Sequence, residues 1–243
     1  MSNSNLEILV YEPSSLGLLC LRRRELLSQP GTIVTEVTLD HEFLMSSLHT
    51  DSERALARTA LQMLSGDELR VLVGGLGLGY TAREALLSRR VAQVEVVELL
   101  PQVIDWLARG LVPLSTELKH ALRGEMGGEM GKGQRLVVTE GDVYRRLAGE
   151  PDELFDVILI DVDHSPDERL TEGSARFYTT PGLQAARRHL AADGVLAVWS
   201  YAESSPFADA LREIFEQVRV EPITYDNRLI DQQQTDWLFF AHG

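Results

Sequence analysis

Four glycines, at positions 74, 75, 77 and 79, follow directly on the apolar run Val71-Leu72-Val73, and no other feature constrains this chain as strongly. A short apolar run ending in glycines reads as a buried parallel strand entering a tight turn. Glycine accepts positive φ and lets backbone amides approach a ligand closely. Downstream, Thr81 and Glu84 have the spacing of a capping box, so a helix is expected there, its N-terminal amides turned toward an anionic or strongly polar group. Glu98 then closes the next apolar strand, expected over 94–99, where a carboxylate can accept ribose hydroxyls. The unit is that of a nucleoside-binding strand, turn and helix.

Spacing selects among nucleosides. In the dinucleotide fingerprint G-x-G-x-x-G the third glycine would fall on Tyr80, whereas it stands at Gly79, which disfavours NAD. No Gly-Lys-Ser/Thr follows, so a phosphate loop fails as well. A plain glycine-rich turn would not call for an acid at position 98. A G-x-G-x-G turn with an acid ending the second strand resembles the class I S-adenosylmethionine-dependent transferases.

With 243 residues the chain can bury a full core. A net charge of −14 repels phosphate backbones and anionic lipid heads, so neither nucleic acid nor membrane is an expected partner. The arginine groups at 22–24, 89–90, 145–146 and 187–188 are scattered and read as solvated faces. A single cysteine, Cys20, the lack of a signal-like start and the lack of a long apolar run give the expectation of a reducing cytoplasm without disulfides.

Residues 1–49 read as an N-terminal β domain, with strands near 6–11, 18–22, 32–39 and 43–46, and residues 50–243 as a Rossmann-like domain. Thr50 and Glu53 form a second apparent capping box, opening a helix that leads into the glycine turn. Strands near 69–74, 94–99, 135–139, 155–161 and 194–200 alternate with helices, the pattern of a doubly wound parallel α/β sheet. The duplicated Gly-Glu-Met-Gly at 124–131 suggests a mobile loop over 123–134. Two antiparallel strands, 218–225 and 235–241, are expected to close the chain, joined by a polar stretch at 226–234 that could cover a site.

In open α/β sheets ligands bind at the carboxyl ends of the strands. Asp142, after the third, suits either the adenine amine or the N-cap of a helix over 143–148. The apolar strand Val157–Ile160 delivers Asp161, Asp163 and His164 to one edge, where a carboxylate can orient and deprotonate an amine or hydroxyl; loop-capping aspartates and a solvent-facing histidine are the plainer alternative. These acids have the oxygen chemistry of a Mg²⁺ site, but the expectation is no metal. Trp199 and Tyr201, ending the fifth strand, suit an acceptor-pocket wall, and packing alone would equally explain Trp199.

Across Glu42–Ser47, Gly74–Thr81, Leu159–Asp163 and Gly194–Ser200 the chain resembles spermidine synthase-like proteins of the class I methyltransferase superfamily. The resemblance implies a small N-terminal β domain, a class I methyltransferase sheet and a homodimer. It gives Glu98 to ribose, Asp142 to the adenine edge, and Asp161 with Asp163 to catalysis beside the acceptor amine, with His164 and Tyr201 lining the acceptor pocket. Departures from the family pattern point elsewhere. Gly77 stands where aminopropyl transferases carry an aspartate, Met45-Ser46-Ser47 replaces a Tyr-His-Glu stretch, and Asp163-His164 breaks the Asp-x-x-Asp-Pro spacing. A missing carboxylate weakens binding of a cationic tail by about 1.5–3 kcal/mol. The expectation is therefore methyl transfer from S-adenosylmethionine to an N or O nucleophile of a small molecule. Aminopropyl or aminocarboxypropyl transfer, the former from decarboxylated S-adenosylmethionine, is the alternative, and a non-catalytic nucleoside-binding protein is a third.

Overall fold

The computed structural model describes residues 5–124, 134–162, 165–166, 172–227 and 232–243. The duplicated glycine segment, Asp163, His164 and part of the 226–234 connection lie outside the described residues, so the expectations placed on them are not addressed.

Four strands, β1 (Leu6–Pro13), β2 (Leu18–Glu25), β3 (Ile33–Leu39) and β4 (Glu42–Ser46), make an antiparallel sheet in sequential order. Helix α1 (Asp51–Gln62) then leads to β5 (Leu69–Gly74), α2 (Tyr80–Leu87), β6 (Val91–Glu98), α3 (Pro101–Arg109), α4 (Ser115–Leu122), β7 (Leu136–Glu140) and α5 (Val143–Ala148). The rest of the chain is β8 (Phe155–Ile160), α6 (Glu172–Phe177), α7 (Thr180–Arg187), β9 (Leu190–Ser200), α8 (Ser205–Ile214), β10 (Gln217–Asn227) and β11 (Gln232–His242). The second sheet runs β10-β11-β9-β8-β5-β6-β7, with β9, β8, β5, β6 and β7 parallel and β11 antiparallel to β9.

The central strands are apolar without alternation because both faces of the sheet are covered. Val71 and Val73 join one core with Leu56, Ala85, Trp106 and Leu118, while Leu72 joins another with Val143, Leu183 and Phe207. Leu19, Leu21 and Val37 of the N-terminal sheet belong to the first core, so that sheet is packed on the α1–α4 side. Trp106 Nε1 donates to Glu12 at 2.9 Å and Arg23 to the Leu111 carbonyl at 2.9 Å across the same junction.

Three boundaries differ from expectation. Strand β6 starts at Val91, and β9 starts at Leu190, where the residue-by-residue pairing of Phe155 with Leu190 extends the ladder backward. The terminal hairpin is longer at both ends, with β10 and β11 paired from Gln217–His242 to Asn227–Gln232. Its polar half keeps strand geometry through backbone bonds that polarity does not forbid.

Candidate active site

Strand order reverses between β5 and β8, the switch point of a doubly wound sheet, so the glycine turn and Asp161 meet there. The ladder runs on past the strands: Asp161 N donates to Gly74 O at 2.9 Å, and Gly75 N to Val97 O at 2.9 Å. Gly75 has φ +97°, and a Cβ there would overlap the Asp161 carbonyl, so the turn and the end of β8 touch only because residue 75 has no side chain. Gly77 has φ +50°, and a Cβ on it would stand 3.2 Å from Met45 Sδ. Two departures read separately in the sequence are one contact: Met45 of β4 sits against the place where an aspartate would project.

Glu98 is buried. Its Oε2 accepts from Leu76 N at 2.7 Å and its Oε1 from Leu100 N at 2.8 Å, so the carboxylate holds the glycine turn from below. Burial raises its pKa, and these backbone donors work against that rise. Asp142 caps α5, its Oδ1 accepting from Tyr144 N at 2.8 Å and Arg145 N at 3.3 Å; the capping reading of this residue is realised, and Oδ2 is not used in those bonds.

Neither apparent capping box forms. Gly79, at φ +90°, precedes α2, so Thr81 lies inside the first turn; its hydroxyl donates to Asp161 Oδ2, and Glu84 pairs with Arg58 at 2.9 Å instead. Thr50 precedes α1 as expected but makes no side-chain cap bond, and the Glu53 carboxyl turns to Ser52 Oγ at 3.1 Å.

That turn of Glu53 reveals what the sequence reading overlooked. Ser52 Oγ lies 2.6 Å from Asp236 Oδ2 on β11 and accepts the indole N–H of Trp199, on β9, at 3.0 Å. Glu53, Asp161 and Asp236 thus form a group of carboxyls at the switch point. Burial, then the charge of Asp161, pushes Glu53 up to about 8. Burial also pushes Asp161 up to about 6, opposed by the Thr81 hydroxyl and reinforced by Asp236, whose own carboxyl is raised by burial. Such carboxyls hold protons tightly, and for the same electrostatic reason they favour any other cation placed among them.

The signals were present. Ser52 shares a helix face with Leu56 and Ala60, and Asp236 shares a strand face with Leu238 and Phe240; all six positions of these two faces are buried. A polar residue on a core stripe asks for a partner. Tyr201, expected at the pocket wall, is 42% exposed just past β9, while Trp199 is drawn into the acid group.

No protein-family model matches the sequence. Among curated proteins it is similar to polyamine aminopropyltransferase 2 of Streptomyces coelicolor, 36% identical over 135 residues, which is 56% of this chain and 22% of the relative. It is 32% identical over 145 residues to polyamine aminopropyltransferase of Oceanobacillus iheyensis, 60% of this chain and 24% of that protein. The matched segments thus span about a quarter of those relatives' own length. Among solved structures, spermidine synthase from Thermotoga maritima superposes with a TM-score of 0.67 at 17% identity, covering 97% of this chain and 72% of the other. Human methyltransferase-like protein 13 with SAH gives 0.55 at 18% identity, covering 79% and 82%. The chain has the spermidine synthase fold of the class I methyltransferase superfamily.

The expectation of methyl transfer is overturned. It rested on the acid missing at Gly77, but the sequence relatives are polyamine aminopropyltransferases and the spermidine synthase structures superpose better than the methyltransferase does. The physical reason lies in the fold: α1 and β11 bring carboxyls from far away in sequence to the edge where the glycine turn has none.

Among the described residues no helix is long and apolar enough to cross a membrane.

Proposed function

We propose that this chain transfers the 3-aminopropyl group of decarboxylated S-adenosylmethionine to an amine acceptor, and the observation carrying this reading is the group of three carboxyls, Glu53, Asp161 and Asp236, beside the glycine turn. Negative charge there favours an ammonium and disfavours a carboxylate. Like charges about 5 Å apart at an effective dielectric near 20 repel by roughly 3 kcal/mol, so the carboxylate of whole S-adenosylmethionine is the poorer fit. The amides of the turn and Glu98 serve the adenosyl part, each Glu98 oxygen offering a second lone pair to a ribose hydroxyl. Asp142 offers Oδ2 to the adenine amine while Oδ1 caps α5.

In this reading the acceptor nitrogen attacks the donor carbon in line with the sulfonium, the C–S bond breaks, and 5′-methylthioadenosine leaves. The nitrogen sheds one proton. Asp161, held by Thr81 and pushed up to about 6, is placed to orient the amine and take that proton. The similarity to aminopropyltransferases supports the substrate class, and the acid group supports the chemistry. The chain is read as acting away from nucleic acid and membranes, on small molecules.

The test supplies both donors with a mixture of aliphatic di- and triamines and analyses products by mass spectrometry. 5′-Methylthioadenosine with a matching aminopropylated amine is expected from the decarboxylated donor, and its absence under conditions where the protein is folded overturns the reading.

A further inference from the structure

Ser52 has one hydroxyl proton and three close partners. Trp199 Nε1 can only donate, so it takes one lone pair of Oγ at 3.0 Å. Asp236 Oδ2 at 2.6 Å takes the hydroxyl proton, being the nearer of the two carboxyls. Glu53 Oε2 at 3.1 Å then faces the remaining lone pair of Oγ. An ionised Glu53 would set lone pair against lone pair there, whereas a protonated Glu53 donates and completes the set. The surroundings agree. The charges acting on Glu53 from neighbouring elements are those of Asp161 at the end of β8 and Asp236 on β11, both negative. Tyr80 of α2 is the other titratable group facing it, and the Arg54 guanidinium lies over the Tyr80 ring, 5.3 Å from its centre. These are the facing groups among the described residues.

We infer that Glu53 carries a proton in the ligand-free protein and gives it up to solvent when the ammonium of an amine substrate enters the site, so that cation binding and proton release are one exchange. The exchange balances: the neutral carboxyl becomes a carboxylate, the incoming ammonium keeps its own charge and supplies the positive charge, and one proton passes to bulk water. It deepens the aminopropyl-transfer reading and rests on it, assigning Glu53 to selection of a charged amine over a neutral nucleophile of similar shape. In the empty site the proton keeps three carboxyls from repelling one another; in the filled site the ammonium does so.

Two measurements test it. Calorimetry with 1,4-diaminobutane at pH 7, in buffers of low and high ionisation enthalpy, should give close to one proton released per amine bound, and E53Q should release none and bind at least tenfold more weakly. Heat independent of buffer with the amine bound overturns the exchange and leaves the transfer reading standing. Failure of the amine to bind, together with no aminopropylated product, overturns both. In the ligand-free protein, the ¹³C resonance of the Glu53 carboxyl, assigned by its loss in E53Q, should titrate far above the ordinary glutamate range; a midpoint near the ordinary value overturns the proposal whatever the amine does.

Discussion

Glu53→Gln should stabilise the free protein at alkaline pH while damaging the site. The glutamine amide is close in shape to a protonated carboxyl and can donate to Ser52 Oγ, at 3.1 Å from the present oxygen. Glu53 has a folded-state pKa above its unfolded one, raised to about 8 chiefly by burial. The folded state therefore binds more protons than the unfolded chain between the ordinary carboxylate range and that value. Its contribution is fully present below the unfolded pKa and is lost as pH rises toward about 8. A shift of that size corresponds to roughly 5 kcal/mol at the limit, and partial exposure with screening reduces it to about 2–3 kcal/mol. Urea unfolding at pH 5, 7 and 8.5 provides the assay. The wild type should lose stability across the series, E53Q should lose less, and at pH 8.5 E53Q should be the more stable by about 2 kcal/mol. Parallel pH profiles, or an E53Q chain less stable than the wild type at pH 8.5, would refute the proton assignment.

Asp161→Asn keeps an acceptor for the Thr81 hydroxyl but removes the base, so turnover in the transfer assay should fall about 10²–10⁴-fold with donor affinity little changed. Glu98→Gln leaves one of two backbone donors, Leu76 N or Leu100 N, without an oxygen, costing about 1–3 kcal/mol of stability and weakening adenosyl binding; urea unfolding and calorimetry read the two effects. Gly77→Asp should destabilise by about 1–2 kcal/mol through its positive φ and its approach to Met45, and adding Met45→Ala should recover the contact share but not the backbone share, as denaturation midpoints will report.

Much of the fold was legible because its signals are local. The β5 and β8 strands announce themselves by apolar runs, the turn by its glycines, and α5 by Asp142 at its N-cap. The site was legible where it follows a strand end, as with Glu98 and Asp161. It was not legible where distant elements converge: Ser52 and Asp236 are 184 positions apart yet 2.6 Å from one another. Glu53 was misread because its spacing from Thr50 imitates a capping box, a local pattern that the tertiary demand of Ser52 overrides. The weight placed on Gly77 failed for the same reason. An absent charge at one position says nothing about the field at the site, which α1 and β11 supply.

Affinity of the wild-type protein for the two donors, measured by calorimetry under identical conditions, tests the central claim most directly. Decarboxylated S-adenosylmethionine is expected to bind at least tenfold more tightly than S-adenosylmethionine, as about 1.4 kcal/mol or more of carboxylate repulsion requires. Equal binding, or tighter binding of the whole donor, would contradict it.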